Sequence, residues 1–354
     1  FQNLFEAEKI LKAMNERLWL PDKGHWAEYQ DFMGHKRVHE SAAVWTIYHA
    51  IDSETANPFQ AYQATRYVDT AIPHIPVTAH GLKENGYATI ATTNWLPYSW
   101  SINNVAFAEV MHTALSYFQA GRADAGYKLL KSSVLDGMYL GDSPGNFGQI
   151  SFYDAARGEC YRDFGDPIGV ASRVLIQGLF GILPDALNKQ IILRPGFPAD
   201  WDKASVSTPD ISYRFTRKED TDTYHITQRF QTPLHPVLQI NARKEKIRSV
   251  KVNDVPATWQ SIESAHGYPL LSIQAEGTSS TTITIEWEGA PLHTLAVQEP
   301  VITSNGKLAL QIPSGASISQ VYDPQSVLAK HTMGATAFNA QIKGEPGHHT
   351  FFVY

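Results

Sequence analysis

Gly178-Leu179-Phe180-Gly181-Ile182-Leu183-Pro184-Asp185-Ala186-Leu187, followed by Leu193-Arg194-Pro195-Gly196-Phe197-Pro198-Ala199-Asp200-Trp201, is where the chain changes its pattern. Before it, apolar residues recur at helical spacing, and the last such run predicts a helix over Gly169 to Phe180. After it, apolar and polar residues alternate. Ile192 to Pro198 reads as a short strand and turn. Strands follow over Ile211 to Thr216, Tyr224 to Phe230, Val237 to Ala242, Ile247 to Val252, Leu271 to Ala275 and Thr281 to Trp287. Their spacing of roughly ten residues, with turn residues between, predicts an antiparallel β-sandwich. Residues 291–354 continue as short strands (Leu308 to Ile312, Ile318 to Tyr322, Thr350 to Val353) that complete or extend it.

Working back from the junction, the chain reads as helices joined by long aromatic loops. Leu4, Ala7, Ile10, Leu11, Met14 and Leu18 share one helical face, with Glu6, Lys9, Lys12 and Glu16 opposite. Pro21-Asp22-Lys23-Gly24 ends that helix. Further helices are predicted over Ser41 to Ala50, Phe59 to Thr70, Asn103 or Asn104 to Gln119, and Asp124 to Val134. Each calls for a partner helix. The division is therefore 1–190 helical, 191–290 sandwich, and 291–354 further strands.

Composition narrows the function. Of 354 residues, 43% are hydrophobic and 18% charged, which suits a globular chain able to bury a large core. The net charge of -6 argues against nucleic acid as a partner, since phosphates call for a basic face. The single Cys160 excludes a disulfide framework within the chain and a cysteine-based zinc ribbon. The longest uncharged run, Asn85 to Ala108, contains Pro97 and many Asn, Ser and Thr residues, so no membrane span is expected.

Three loops could carry chemistry. The densest is Asp154 to Asp166, with Glu159, Asp163 and Asp166 interleaved with Arg157 and Arg162. Neighbouring arginines can hold such carboxylates ionised for work as a base. Asp166, just before Pro167, also reads as the N-terminal cap of the next helix. In Gly24 to Glu40, aromatics alternate with acids, an arrangement that suits sugar, where rings stack and carboxylates bind hydroxyls. Trp26 and Glu28 are its candidates, against a plain helix connection with exposed charges. His35 and His39 lie four apart, but Gly34 weakens a helical reading and no third ligand follows, so no metal is expected. His39-Glu40 opens like the zinc-protease motif, yet Ala43 stands where the second His is required. In Thr92 to Asn104, Asn94, Trp95, Tyr98 and Trp100 read as a binding-cleft wall more readily than as a core plug, whose Asn and Ser groups would need internal partners.

Helices, acidic aromatic loops and a trailing sandwich together resemble the (α/α)6-barrel, or six-hairpin, glycosidases, over nearly the whole chain. The junction quoted first is the most specific match: there the last barrel helix passes into the sandwich. Leu18-Trp19-Leu20-Pro21-Asp22-Lys23-Gly24-His25-Trp26 is similar to a turn of the trehalase-like barrels, and Asn94-Trp95 with Asn103 lies where those enzymes carry a cleft loop. Gly158-Glu159-Cys160-Tyr161 with Phe164-Gly165 is similar to their glycine-rich loop, whose Glu is the general base of inverting members. Ala156-Arg157 and Asp166-Pro167 depart from that loop, so trehalose is not implied. The overall look is closer to plant-polysaccharide hydrolases of gut-type bacteria, including arabinofuranosidase-like ones.

The resemblance implies a fold that is mainly α then β: the second half of an (α/α)6 barrel followed by a C-terminal antiparallel β-sandwich. It implies inverting hydrolysis with Glu159 as base, Asp163 and Arg162 orienting the water, and Glu40 or Glu28 as fallback acids. Trp26, Glu28, Asn94, Trp95, Tyr98, Trp100, Arg162 and Asp166 would bind the carbohydrate. It implies no cofactor and a periplasmic or extracellular setting. A closed barrel needs twelve helices and about six are legible here, so Phe1 is expected to be an internal position. The N-terminal half, with the general acid, is then another chain or a removed segment. Two other readings stand on the same scaffold: a carbohydrate-binding protein without activity, and a phosphorylase.

Overall fold

The computed structural model describes residues 2–78, 81–95, 101–140, 150–156, 160–161, 165–292, 299–312 and 316–354. The chain is mixed α and β, and divides into two compact units. One contains Phe1–His74, Ala91–Asn104 and Thr294–Tyr354; the other contains Ile75–Ile90 and Val105–His293. Among the described residues, six α-helices overlap the expected runs: α1 (Gln2–Arg17), α2 (Val44–Asp52), α3 (Pro58–Ala71), α4 (Phe107–Gln119), α5 (Ala123–Val134) and α6 (Asp166–Arg173). α4 starts later than expected, after a short strand at Asn104–Ala106, and α6 starts earlier and stops at Arg173.

In the first unit, α3 starts on a capping box: the Asn57 side chain accepts from Gln60 N–H, and the Gln60 side chain accepts from Asn57 N–H. Before α2, the chain forms two short hairpins, β1 (Trp19–Leu20) with β2 (His25–Trp26), and β3 (Tyr29–Gln30) with β4 (Val38–His39). α1 differs from expectation. None of its residues is buried, and Leu4, Phe5, Ile10 and Leu11 of its apolar face are exposed. The partner helix its stripe calls for is not among the described residues. Its C-terminal end is tied down where the Asn15 side chain donates to Thr55 O and accepts from the Gln60 amide.

Among the described residues, the strands after 299 share no sheet with those before them. Lys307–Gln311, Ala337–Ile342 and Leu328–Met333 form one sheet, and Val321–Tyr322 pairs with Phe352–Val353. Their inward residues, Leu308, Ile318, Val327, Leu328, Phe338 and Ala340, close on a core of their own. The rings of Tyr322 and Phe352 then pack edge-on against Phe59 of α3, with centroids 5.1 and 4.9 Å away.

In the second unit α4 buries Phe107, Val110, Met111, Ala114, Leu115, Tyr117 and Phe118. Its neighbours α5 and α6 each continue as a π-helical turn, Leu135–Leu140 and Val174–Leu179. The junction then enters two sheets. The five-stranded one runs Ile182–Asp185, Gln190–Leu193, His235–Asn241, Leu270–Gln274, Gln260–Ile262. The six-stranded one runs Lys203–Ser207, Ile211–Lys218, Thr221–Gln228, Ser280–Pro291, Lys244–Val252, Val255–Pro256. Alternate residues of both, among them Leu193, Leu238 and Ile273 from one and Tyr213, Ile226, Ile285 and Trp287 from the other, fill a single core. One pairing departs from the antiparallel expectation: Gln190–Leu193 runs parallel to His235–Asn241. The chain leaves the first sheet to build the 203–228 hairpins and returns in the same direction, so the two strands cannot form a hairpin.

Glycines make this junction. Gly181 has φ +65°, and a Cβ there would lie 1.9 Å from Arg194 O. The Arg194 N–H donates to Gly181 O at 2.9 Å, and the Gly196 N–H donates to Leu179 O at 3.0 Å. The helix end is thus stitched directly to the strand that follows it, at an approach only glycine allows.

Candidate functional site

Of the candidate residues in the described part of the first unit, Trp26, Glu28 and Asn94 gather around α2 and α3. Gly24, at φ +72°, turns the chain so that β2 pairs with β1, Trp19 facing Trp26 and Leu20 facing His25. Trp26 is fully buried and packs edge-on against Trp19, with centroids 4.5 Å apart; its indole N–H has no hydrogen-bond partner. It lines the core beneath the loop and offers no face to solvent.

His25 is buried beside it. Its Nδ1 donates to Trp26 O at 2.9 Å in the neutral tautomer, and its ring lies 3.9 Å from that of Tyr67. Burial pushes the His25 pKa down, only partly offset by that carbonyl contact.

Glu28 leaves the same turn and reaches the start of α2. Its carboxylate accepts from Ala43 N–H at 2.8 Å, Thr46 Oγ1 at 2.6 Å and Trp45 Nε1 at 2.6 Å. Ala43 holds the N-cap position and has no side-chain oxygen, so Glu28 supplies the acceptor and the negative charge that a helix start favours.

Tyr67 of α3 completes the cluster. Its hydroxyl donates to Ala42 O at 2.8 Å and is hydrogen-bonded by the Asn94 side chain. Burial, and then the Glu28 charge, push the phenol well above its ordinary range, so it stays protonated. Asn94 sits on a loop tied to α2 through Val44 N–H to Thr92 O. With its amide turned to Tyr67, the Asn94 Oδ1 is enclosed and has no partner. Trp95 follows, half-buried, its carbonyl accepting from Thr93 Oγ1 and Ile102 N–H. The arrangement supplies a phenol, an amide oxygen and a neutral imidazole, hydrogen-bonding groups of the kind that hold hydroxyls.

Thus the structure brings Trp26, Glu28 and Asn94 into one neighbourhood. Glu40 is exposed and pairs with Lys23 on the surface. Asp166 lies in the second unit, exposed, as the first residue of α6; Gly165, and not Asp166 as expected, takes the N-cap position. The Asp166 carboxylate still favours the helix start through its charge. Glu159, Arg162, Asp163, Tyr98 and Trp100 lie outside the described residues. Sequence reasoning missed Tyr67 and His25 as site residues. Nothing in the spacing singles out Tyr67, since its face of α3 also carries Gln60, Gln63 and Thr70. Among the described residues, no group of three or more His, Cys, Asp or Glu side chains could hold a metal ion, and no helix is long and apolar enough to cross a membrane.

No known family model matches the chain, and no curated protein matches it. Solved structures similar to it include an α-L-rhamnosidase from Dictyoglumus thermophilum, with 12% identity, covering 79% of this chain and 28% of that one, at a TM-score of 0.43. A GH127 β-L-arabinofuranosidase from Geobacillus stearothermophilus T6 shows 8% identity over 84% of this chain and 57% of that one, at a TM-score of 0.31. A third, a glycoside hydrolase, shows 10% identity over 95% and 68% of the two chains, at a TM-score of 0.32. The chain thus spans well under two thirds of the first two, and all three are glycoside hydrolases.

Proposed function

We propose that the chain works as a glycoside hydrolase on a plant-type oligo- or polysaccharide, by acid/base hydrolysis with inversion. The observation that carries this reading is the junction at 178–201. The stretch that most specifically resembles the six-hairpin glycosidases is also the one in which glycine is demanded by contact, at Gly181 against Arg194 and at Gly196 against Phe118.

In this reading residues to about 190 are the second half of an (α/α)6 barrel, followed by a β-sandwich. Glu159 deprotonates a water, with Asp163 and Arg162 orienting it. An acid about 6.5–9.5 Å away protonates the leaving oxygen. That acid comes from the first half of the barrel, and the uncovered face of α1 supports such a second helical body. Glu28, which caps α2, and Glu40, which pairs with Lys23, are the fallback acids within this chain. Asn94, Trp95, Tyr98, Trp100, Arg162 and Asp166 are the residues proposed to bind the sugar, whereas the buried Trp26 belongs to the core. The setting is periplasmic or extracellular.

The test is Glu159→Gln, assayed on pectic oligosaccharides by release of reducing ends. The variant is expected to unfold at the same urea concentration as the parent and to lose nearly all turnover. Retained turnover overturns the assignment. The anomer formed first, followed by NMR, separates inversion from retention.

A further inference from the structure

The β3–β4 hairpin plays no part in the chemistry above, and its residues have an unusual distribution. The chain as a whole carries a net charge of -6, yet His35, Lys36 and Arg37 stand exposed together at the hairpin end. The nearby acids are engaged: Asp31 Oδ1 lies 2.9 Å from His39 Nε2, and Glu40 is paired with Lys23. Lys36 and Arg37 enter no ion pair among the described residues. The hairpin end therefore presents two cations without ion-pair partners, Lys36 and Arg37, on an acidic protein, with Asp31, bonded to His39, opposite Arg37.

The same hairpin presents an aromatic platform. The Tyr29 ring stacks on the His39 imidazole, with centroids 4.2 Å apart and planes at 21°, and Tyr29 is 50% exposed. Tyr29 pairs with His39 and Gln30 with Val38, and the Asp31 N–H donates to Arg37 O at 2.9 Å. By alternation, Tyr29, His39, Asp31 and Arg37 share one face, so Arg37 borders the platform at about 7 Å. The turn is held in shape by Gln30 Nε2 donating to Lys36 O at 3.0 Å and by the left-handed Gly34 and Lys36. Phe32, 92% exposed, and Met33, 76% exposed, crown it.

From this placement we infer that the hairpin recognises a uronate-bearing saccharide, a substrate class that deepens the hydrolase reading and rests on it. A half-exposed ring takes the apolar face of a pyranose. A guanidinium beside it takes the ring carboxylate through two parallel hydrogen bonds. A neutral sugar fills the platform and brings no counter-charge to Arg37 and Lys36. An anionic bilayer fits less well, because it would meet the Phe32–Met33 tip and leave the flat face of the hairpin unused.

The experiment is calorimetric titration of the full chain with trigalacturonic acid and with neutral galactotriose, repeated on Arg37→Gln and Tyr29→Ala. The acidic trimer is expected to bind about tenfold more tightly than the neutral one, and Arg37→Gln to remove that preference while sparing the neutral trimer. Tyr29→Ala is expected to weaken both. Arg37 is exposed, so its substitution keeps the fold even if Tyr29→Ala does not. Equal binding of the two trimers, or an unchanged preference in Arg37→Gln, overturns the inference. So does binding to phosphatidylglycerol vesicles without binding to trigalacturonate. Hydrolysis is scored separately: turnover of neutral glycosides without acidic preference sinks this inference alone, and acidic preference without turnover sinks only the hydrolase.

Discussion

The ring of Phe118 occupies the space a side chain on Gly196 would need: a Cβ there would lie 2.3 Å from Phe118 Cδ1, and one on Gly178 would lie 2.6 Å from Cδ2. Phe118 lies in the last turn of α4, Gly178 in the π-helical turn after α6, and Gly196 precedes the first long hairpin. One buried ring thus registers helix, junction and sheet. Gly196→Ala is expected to lower stability by about 1–3 kcal/mol through overpacking, and Phe118→Leu in the same molecule to recover part of it. Urea unfolding of the two single variants and the double variant reads the coupling. Additive losses would show that the ring and the glycine do not compete for space.

Much of this architecture is legible in the chain because it repeats locally. The helices follow from apolar spacing, as with Val110, Met111, Ala114 and Phe118 on α4, and the long strands from alternation, as with Ile211, Tyr213 and Phe215. What escapes is short or distant. A two-residue strand such as β2 is too brief for any period to show. The packing of Tyr322 and Phe352 on Phe59 joins positions far apart in sequence, and no local pattern announces it. The site divides the same way. Glu28 and Asn94 stand out as polar residues in aromatic loops, whereas Tyr67 looks like one more residue of α3 until the fold brings Asn94 to it.

Glu28 gathers three donors, and its removal should be felt as a lost cap. Glu28→Ala leaves Ala43 N–H, Thr46 Oγ1 and Trp45 Nε1 short of their acceptor. A loss of about 1–3 kcal/mol is expected, the usual cost of stranding such groups. Glu40→Ala, which breaks an exposed pair, should cost about 0–1 kcal/mol. Thermal or urea unfolding of the two variants side by side is the check, and equal losses would remove Glu28 from its structural role.

Asp222 is the most heavily bonded acid of the six-stranded sheet. Only 2% exposed, it accepts from Arg217 Nε at 2.9 Å, Arg243 Nη1 at 2.9 Å and Trp287 Nε1 at 3.1 Å. Asp222→Ala leaves two part-buried guanidinium groups without their shared counter-charge. A loss of about 3–5 kcal/mol is expected, since breaking one side of a buried pair leaves an uncompensated charge. The neighbouring Asp220 is more than half exposed, and Asp220→Ala should shift the urea midpoint little. The reverse order of the two variants would mean that the strand ends, and not the buried carboxylate, hold this network.

His25 gives the first unit a pH dependence whose direction follows from burial. Its pKa is depressed in the folded chain, chiefly because the buried ring resists charge, while an unfolded His titrates near about 6.5. Above that value neither state binds the proton and the contribution of His25 to stability is complete. As the pH falls below it, the unfolded chain takes up a proton that the folded chain refuses, so stability drops until the folded value is also passed. The urea midpoint is therefore expected to fall between about pH 7.5 and pH 5.5. His25→Asn keeps a donor for Trp26 O but cannot titrate in this range, and its midpoint should change less over the same interval. If parent and variant lose stability in parallel, the acid sensitivity lies elsewhere in the chain and the imidazole beside Tyr67 is a spectator.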